Sequence, residues 1–375
     1  MALSRSNLRR RASLNTILIV LSIITAFLAG LPVVAGILSE TFGSAQRSTA
    51  FAAAPPGHYA VYTSSDETHD EIRVAPGDDP GDVITVATIE RLPGFASRGA
   101  VSPDGTQLAL VVVEAGTPAQ PEASLQLLDL ESGERTVIAT RVEFRQVPVW
   151  DNEGEAVFVT RRAPGEDGQG PGDVSVLRAP VDASGASVVE QYQGIYGAYP
   201  VAADPGGRLV TVVIDGSGST VYREGNEVVD LGPHITRDWD LSPGGDELAF
   251  IETNLAEGER YIPRTASLSG DPTVRAQSTS EDVEALGVAW DSGSEPVFGY
   301  EASVSATGDS RAFAQSREQG FDIPLSYSTD GSAIAVQHWT GSRFDQPGAA
   351  SVVIINGQGR VTLDDATRFY GWSER

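Results

Sequence analysis

Ala100-Val101-Ser102-Pro103-Asp104-Gly105-Thr106-Gln107-Leu108-Ala109-Leu110 is the stretch on which the fold turns. A short apolar strand enters, Pro103 fixes φ, Asp104 bonds the turn backbone and Gly105 takes a positive φ. A second apolar strand then leaves, so the segment reads as a β-hairpin. The same pattern returns at Asp240-Leu241-Ser242-Pro243-Gly244-Gly245 and at Ser326-Tyr327-Ser328-Thr329-Asp330-Gly331. Looser copies centre on Trp150-Asp151-Asn152-Glu153-Gly154, Ala203-Asp204-Pro205-Gly206 and Trp290-Asp291-Ser292-Gly293. The five intervals from Gly105 to Gly331 average about 45 residues, the length of a four-stranded propeller blade.

A second series of turns, at Gly77, Gly133, Gly185, Gly225, Gly270, Gly308 and Gly359, marks outer hairpins between strand-like runs. These are seven against six inner turns, and the termini account for the difference. Tyr59-Ala60-Val61-Tyr62 matches the second strand of a blade, and Arg368-Phe369-Tyr370-Gly371-Trp372-Ser373 matches a first strand. One blade is thus expected to be split across the termini, its last strand covering an otherwise open edge.

The pattern aromatic-Ser-Pro-Asp-Gly-x-x-Leu-Ala-Phe resembles the TolB-like β-propeller repeat, a relative of the WD40-like blade, over roughly residues 57–375. The resemblance implies an all-β propeller of seven four-stranded blades, the first closed by the C-terminal strand. It speaks to fold and not to function, since such propellers include periplasmic binding proteins and the propeller domains of oligopeptidases. The repeat runs to Arg375, so no hydrolase domain is expected after it.

Ahead of the repeats, Ile17 to Leu38 form an apolar run interrupted by Ser22, Thr25, Gly30, Pro32 and Gly36. As a helix it would span roughly 33 Å, enough for a hydrocarbon core. Arg5, Arg9, Arg10 and Arg11 precede it, whereas Glu40 and Arg47 follow. This asymmetry predicts a single-pass signal-anchor with the N-terminus in the cytoplasm and the bulk of the chain extracytoplasmic. A cleaved signal peptide, with small residues Gly43 and Ala45 near the cut, is the competing reading, but its apolar region is ordinarily shorter. The expected layout is a cytoplasmic tail at 1–16, a transmembrane helix at 17–38, a linker at 39–56 and a propeller at 57–375.

Composition narrows the chemistry. The chain of 375 residues has a formal net charge of −25, no Cys and, on inspection, no Lys, so its 26 basic residues are all Arg. Thiolate metal sites, a cysteine nucleophile, Schiff-base lysines and a Walker-type phosphate loop are excluded. So acidic a protein is a poor general binder of nucleic acid. His58, His69, His234 and His338 show no metalloprotease spacing, and no Gly-x-Ser-x-Gly elbow is present. The acidic stretches 66–71 and 77–82 lack the spacing of a calcium loop and read as solvated faces. Trp150, Trp239, Trp290 and Trp372 begin inner hairpins and read as packing between blades. No cofactor and no metal are expected.

The candidate site is one mouth of the propeller channel. The loops that approach the inner strands carry Arg98, Phe144 and Arg145, Tyr196 and Tyr199, His234 and Arg237, Phe321, and Arg368 and Phe369. Arg offers bidentate bonds to carboxylate or phosphate, and the rings supply stacking faces. This set suits an anionic peptide terminus, an acidic glycan or an acidic protein loop. The alternative is that each Arg pairs with a carboxylate of the neighbouring blade. Because His234 is the sole histidine among these loops, the residues favour a binding or scaffold module over a propeller enzyme acting on a small molecule or sugar. The ligand-binding part of an envelope sensor is a third reading.

Overall fold

The protein is described by a computed structural model covering residues 49–163, 170–254, 260–277, 283–291, 295–301 and 320–375. A short helix, α1 (Thr49–Ala52), places Phe51 in a buried seat, edge-on to Tyr59 at 5.1 Å and beneath the Arg375 guanidinium at 5.5 Å. Then come strands alone. The first sheet contains β1 (His58–Ser65), β2 (His69–Pro76) and β3 (Ile84–Glu90), with β26 (Arg368–Glu374) paired to β1. The second holds β4 (Arg98–Val101), β5 (Gln107–Thr117), β6 (Gln120–Asp129) and β7 (Arg135–Thr140). The third holds β8 (Val149–Trp150), β9 (Ala156–Arg162), β10 (Gly172–Pro180) and β11 (Ser187–Ile195).

The fourth sheet runs β12 (Gly197–Ala203), β13 (Leu209–Ile214), β14 (Ser219–Arg223) and β15 (Asn226–Gly232). The fifth runs β16 (Ile235–Leu241), β17 (Glu247–Asn254), β18 (Arg260–Ser267) and β19 (Val274–Ala276). After β20 (Ala285–Trp290) and β21 (Pro296–Tyr300), the last sheet comprises β22 (Phe321–Tyr327), β23 (Ala333–Trp339), β24 (Ala350–Asn356) and β25 (Gly359–Leu363).

The expectation of seven four-stranded blades is therefore corrected. Among the described residues six sheets are four-stranded blades, and β20 and β21 form a two-stranded sheet. The sequence there is poor in strand-forming residues: between Glu301 and Gly320 only Val304, Thr307 and Phe313 are β-branched or aromatic. The expected outer turn at Gly308 lies outside the described residues. So does the apolar run Ile17–Leu38, and no helix among the described residues is long and apolar enough to cross a membrane.

The inner turns explain both the clear and the loose copies of the repeat. In the clear ones a serine hydroxyl accepts the backbone N–H five residues on: Gln107 to Ser102 at 2.9 Å, Glu247 to Ser242 at 3.0 Å and Ala333 to Ser328 at 2.9 Å. In the loose ones an aspartate takes that place. Asp151 Oδ1 accepts from the Ala156 N–H at 3.1 Å, Asp204 Oδ1 from Arg208 at 3.0 Å and Asp291 Oδ1 from Glu295 at 2.8 Å. Either oxygen satisfies backbone that the tight turn leaves unpaired.

Burial follows the second strand of each blade. Leu108 through Val113 in β5 and Leu209 through Ile214 in β13 are buried on both faces, because each blade is sandwiched between two others. Indole N–H groups also link blades: Trp150 Nε1 donates to the Ala100 carbonyl at 2.8 Å, and Trp290 Nε1 to Asp240 at 3.0 Å. β26 touches both of its neighbours. It pairs with β1 through Ala60 and Trp372, and Ser373 Oγ donates to the Gly105 carbonyl at 2.5 Å.

Candidate functional site

The inner strands surround a channel of about 910 Å³. Its wall is built from residues on and beside β4, β8, β12, β16, β20 and β22, while β26, the inner strand of the first sheet, contributes none of the lining. Three indoles, Trp150, Trp239 and Trp290, line it together with four carboxylates, Asp151, Asp238, Asp240 and Asp291. Of the residues expected at the mouth, Arg145 and Tyr199 line this channel. Tyr199 lies against Trp239 at 4.9 Å between ring centroids, and burial raises its hydroxyl pKa.

The other expected residues divide by what already holds them. Arg237 is exposed and paired with Asp238 at 3.2 Å, its guanidinium 5.8 Å from the Tyr261 ring. His234 is half-buried, 4.0 Å from a Glu252 carboxylate that Arg264 binds at 2.8 Å. Phe321 is buried within an aromatic group, edge-on to Phe344 at 5.1 Å and stacked on Trp339 at 6.4 Å. Tyr196 is 46% exposed and free to meet a partner. Phe369 is half-buried and edge-on to Trp372 at 5.5 Å.

On one arc of the mouth the aromatics and arginines come together. Phe95 and Phe144 meet edge-on at 5.2 Å, joining the approach loops of the second and third blades, and the Arg145 guanidinium stands 5.0 Å from the Phe144 ring. Arg98 opens β4 three residues after Phe95, and burial followed by the charge of Arg368 holds its pKa below the usual arginine range. Of the ten expected residues, Phe144 and Arg145 thus form one pair, and Arg98 and Arg368 a second, near enough for their charges to interact.

Two channel residues escaped the sequence reading. Asp240 accepts hydrogen bonds from the backbone N–H of Leu241 at 3.0 Å and of Trp290 at 3.2 Å. No cation among the described residues faces it, and burial pushes its carboxyl up to about 7. Asp238 sits at φ 50 and accepts the Gly287 N–H at 3.0 Å. Aligning the six copies would have exposed Asp240. Two residues before the turn Ser or Asp, the other copies carry Ala100, Val149, Ala202, Ala289 and Ser326.

Two carboxylates near the approach loops are already committed. Asp70 is buried, and against that burial, bonds from Ser65, Ser97 and Arg91 hold its pKa down. Asp322 is buried likewise, yet Arg360 and His338, at 2.7 and 2.8 Å, keep it ionised. Among the described residues no group of three or more His, Asp or Glu is placed to hold a metal ion.

No protein-family model matches the chain, and no curated protein does. Solved structures match in shape. TolB from Acinetobacter baumannii superposes with a TM-score of 0.50 at 13% identity, over 85% of this chain and 67% of that one. The β-propeller domain of the Trilobed protease from Pyrococcus furiosus gives 0.51 at 12% identity, over 82% and 94%. A puromycin hydrolase mutant gives 0.54 at 12% identity, over 84% and 53%, so this chain spans about half the length of that enzyme. These likenesses establish the fold, that of TolB-like β-propellers.

Proposed function

We propose that this chain is a binding module whose propeller holds a protein, peptide or glycan partner at the mouth of its channel. The observation that carries the reading is the group formed by Phe95, Phe144 and Arg145, the last of which lines a channel of about 910 Å³. Rings and guanidinium groups gathered at a concave opening supply apolar area and directional donors together. Placement outside the cytoplasm rests on the sequence, on the arginines before Ile17 and the apolar run to Leu38.

Asp240 favours a second reading, an enzyme for a small molecule. A carboxyl that titrates near neutrality inside a cavity is suited to proton transfer. Photo-crosslinkers placed in the full chain separate the two. Incorporated at Arg145 or Tyr199, they should capture a partner in cells, while the same group at Val137 on the outer strand β7 should not. Capture at all three positions, or at none, would sink the binding reading. Turnover of a small molecule that Asp240→Asn abolishes would establish the second.

A further inference from the structure

Arg98 opens β4 and Arg368 opens β26, the inner strands of adjacent blades. These two strand starts are held together: Tyr370 Oη lies 2.7 Å from Ser97 Oγ, and a Cβ at Gly99 would come within 3.1 Å of the Tyr370 ring. Both guanidinium groups are half-buried, and each repels the other.

Half-buried arginines elsewhere in the molecule are neutralised. Arg73, Arg178, Arg264 and Arg360 each lie within 3.0 Å of a carboxylate oxygen, as does the buried Arg91. Arg98 and Arg368 have no such partner among the described residues, and their side chains make no hydrogen bond there. The carboxylate beside them is taken. Asp70 accepts from Arg91 Nε at 2.7 Å, from the Ser97 N–H at 2.8 Å and from Ser97 Oγ at 2.6 Å. In a chain of net charge −25, two like charges are drawn partly out of water near one another, with no carboxylate paired to either among the described residues. Partial desolvation of an unpaired charge is costly, and a second like charge adds to the cost.

We infer that Arg98 and Arg368 form a two-guanidinium seat for a single oxyanion group, carboxylate or phosphoryl, carried by the ligand of this mouth. The inference rests on the binding reading above and adds the chemistry that is recognised. Two planar forks can each give parallel N–H bonds to one oxyanion, and the arriving charge removes their repulsion. Phe95 precedes Arg98 by three residues and Phe369 follows Arg368 directly, so aromatic side chains adjoin both positions in the chain.

The test titrates the full chain with inorganic phosphate and, separately, with succinate, using sodium chloride at matched ionic strength as the baseline. Melting temperature and calorimetric affinity are the readouts. Phosphate or succinate should raise the melting temperature above the chloride baseline. A response to phosphate alone supports a phosphoryl ligand, and one to succinate alone a carboxylate. Arg98→Gln and Arg368→Gln should each weaken the affinity about ten- to a hundredfold, as expected for one charged hydrogen-bonding partner. In chloride each variant should melt at or above the wild type, because one of two repelling charges has gone. The seat is overturned by the absence of any ion-specific response, by its survival in both variants, or by variants that melt well below wild type in chloride. Small anions need no partner, so a failed titration leaves the crosslinking result standing, and failed crosslinking leaves the seat to be judged by titration alone.

Discussion

Trp372 Nε1 donates a hydrogen bond to the Ser326 carbonyl across 3.3 Å, from the inner strand of one blade to that of the blade before it. The bond recurs as Trp150 to Ala100 and Trp290 to Asp240, 50 residues apart in each case. The indole therefore does two things at once: it fills the wedge between blades and satisfies a carbonyl that the inner edge of the next sheet leaves without a partner. Trp239 departs from this pattern, since its Nε1 turns back to Thr236 Oγ1 at 2.8 Å on its own strand and its ring faces Tyr199.

These indoles give a graded prediction. Trp150→Phe keeps most of the ring but strands the Ala100 carbonyl, and should cost about 1–3 kcal/mol. Trp150→Ala also opens a cavity beside Leu177 and Ala179, and should cost about 3–5 kcal/mol. Trp239→Phe should cost less than Trp150→Phe, because it removes no bond between blades. Urea denaturation of the three variants checks the order, and equal losses at positions 150 and 239 would show that the cross-blade bond carries no weight.

The repeating turns supply a second prediction. Gly105 has φ 74, and a Cβ there would run into the backbone nitrogen of Glu374, with Ser373 Cα at 3.1 Å. Gly225 has nearly the same φ, 72, but meets nothing closer than Glu190 Cγ at 3.9 Å. Both Gly→Ala changes bear the left-handed backbone cost, about 1 kcal/mol. Gly105→Ala must in addition displace β26, the strand that completes the first sheet. It should lower the melting temperature by clearly more than Gly225→Ala. Matching shifts would mean that β26 yields freely at its end.

Legibility from sequence followed the physics of each feature. The turns were readable even in loose copies, because Ser102 and Asp151 bond the same backbone N–H and leave the same spacing. One detail slipped: at Asp204-Pro205-Gly206-Gly207 the left-handed residue is Gly207, one place beyond the glycine on which the repeat was centred. At the sheet of β20 and β21 spacing alone stood in for a full blade, and among the described residues that sheet has two strands. The site was legible only as a list of residue types. Whether an arginine is free depends on which carboxylate reaches it, and the sequence distance from Arg98 to Arg368 hides that they are neighbours. Nothing in the sequence said that Arg237 would pair with Asp238 or that Arg91 would claim Asp70.

Asp240 makes the last prediction, a pH dependence of stability with a definite sign. Burial pushes its carboxyl up to about 7 in the folded protein, against about 3.9 for an ordinary aspartate. Between those two values the native state holds a proton that the unfolded chain has released. Stability from this group is complete below the unfolded value and is lost as pH rises toward 7. The loss should reach roughly 2–4 kcal/mol by pH 8, the order set by about 1.4 kcal/mol for each unit of displacement. Asp70 and Asp322 act in the opposite sense, since their depressed values make stability fall as pH drops into the acid range. Asp240→Asn separates the contributions. It cannot ionise and leaves the shape of the channel wall unchanged. Relative to the wild type the variant should gain stability steadily from pH 5 to pH 7, hold that gain at pH 8 and keep the acid limb that Asp70 and Asp322 produce. Denaturant midpoints at pH 5, 6, 7 and 8 read this directly. A difference between variant and wild type that stays constant with pH would show that Asp240 titrates at its ordinary value and that the channel around it is filled with water.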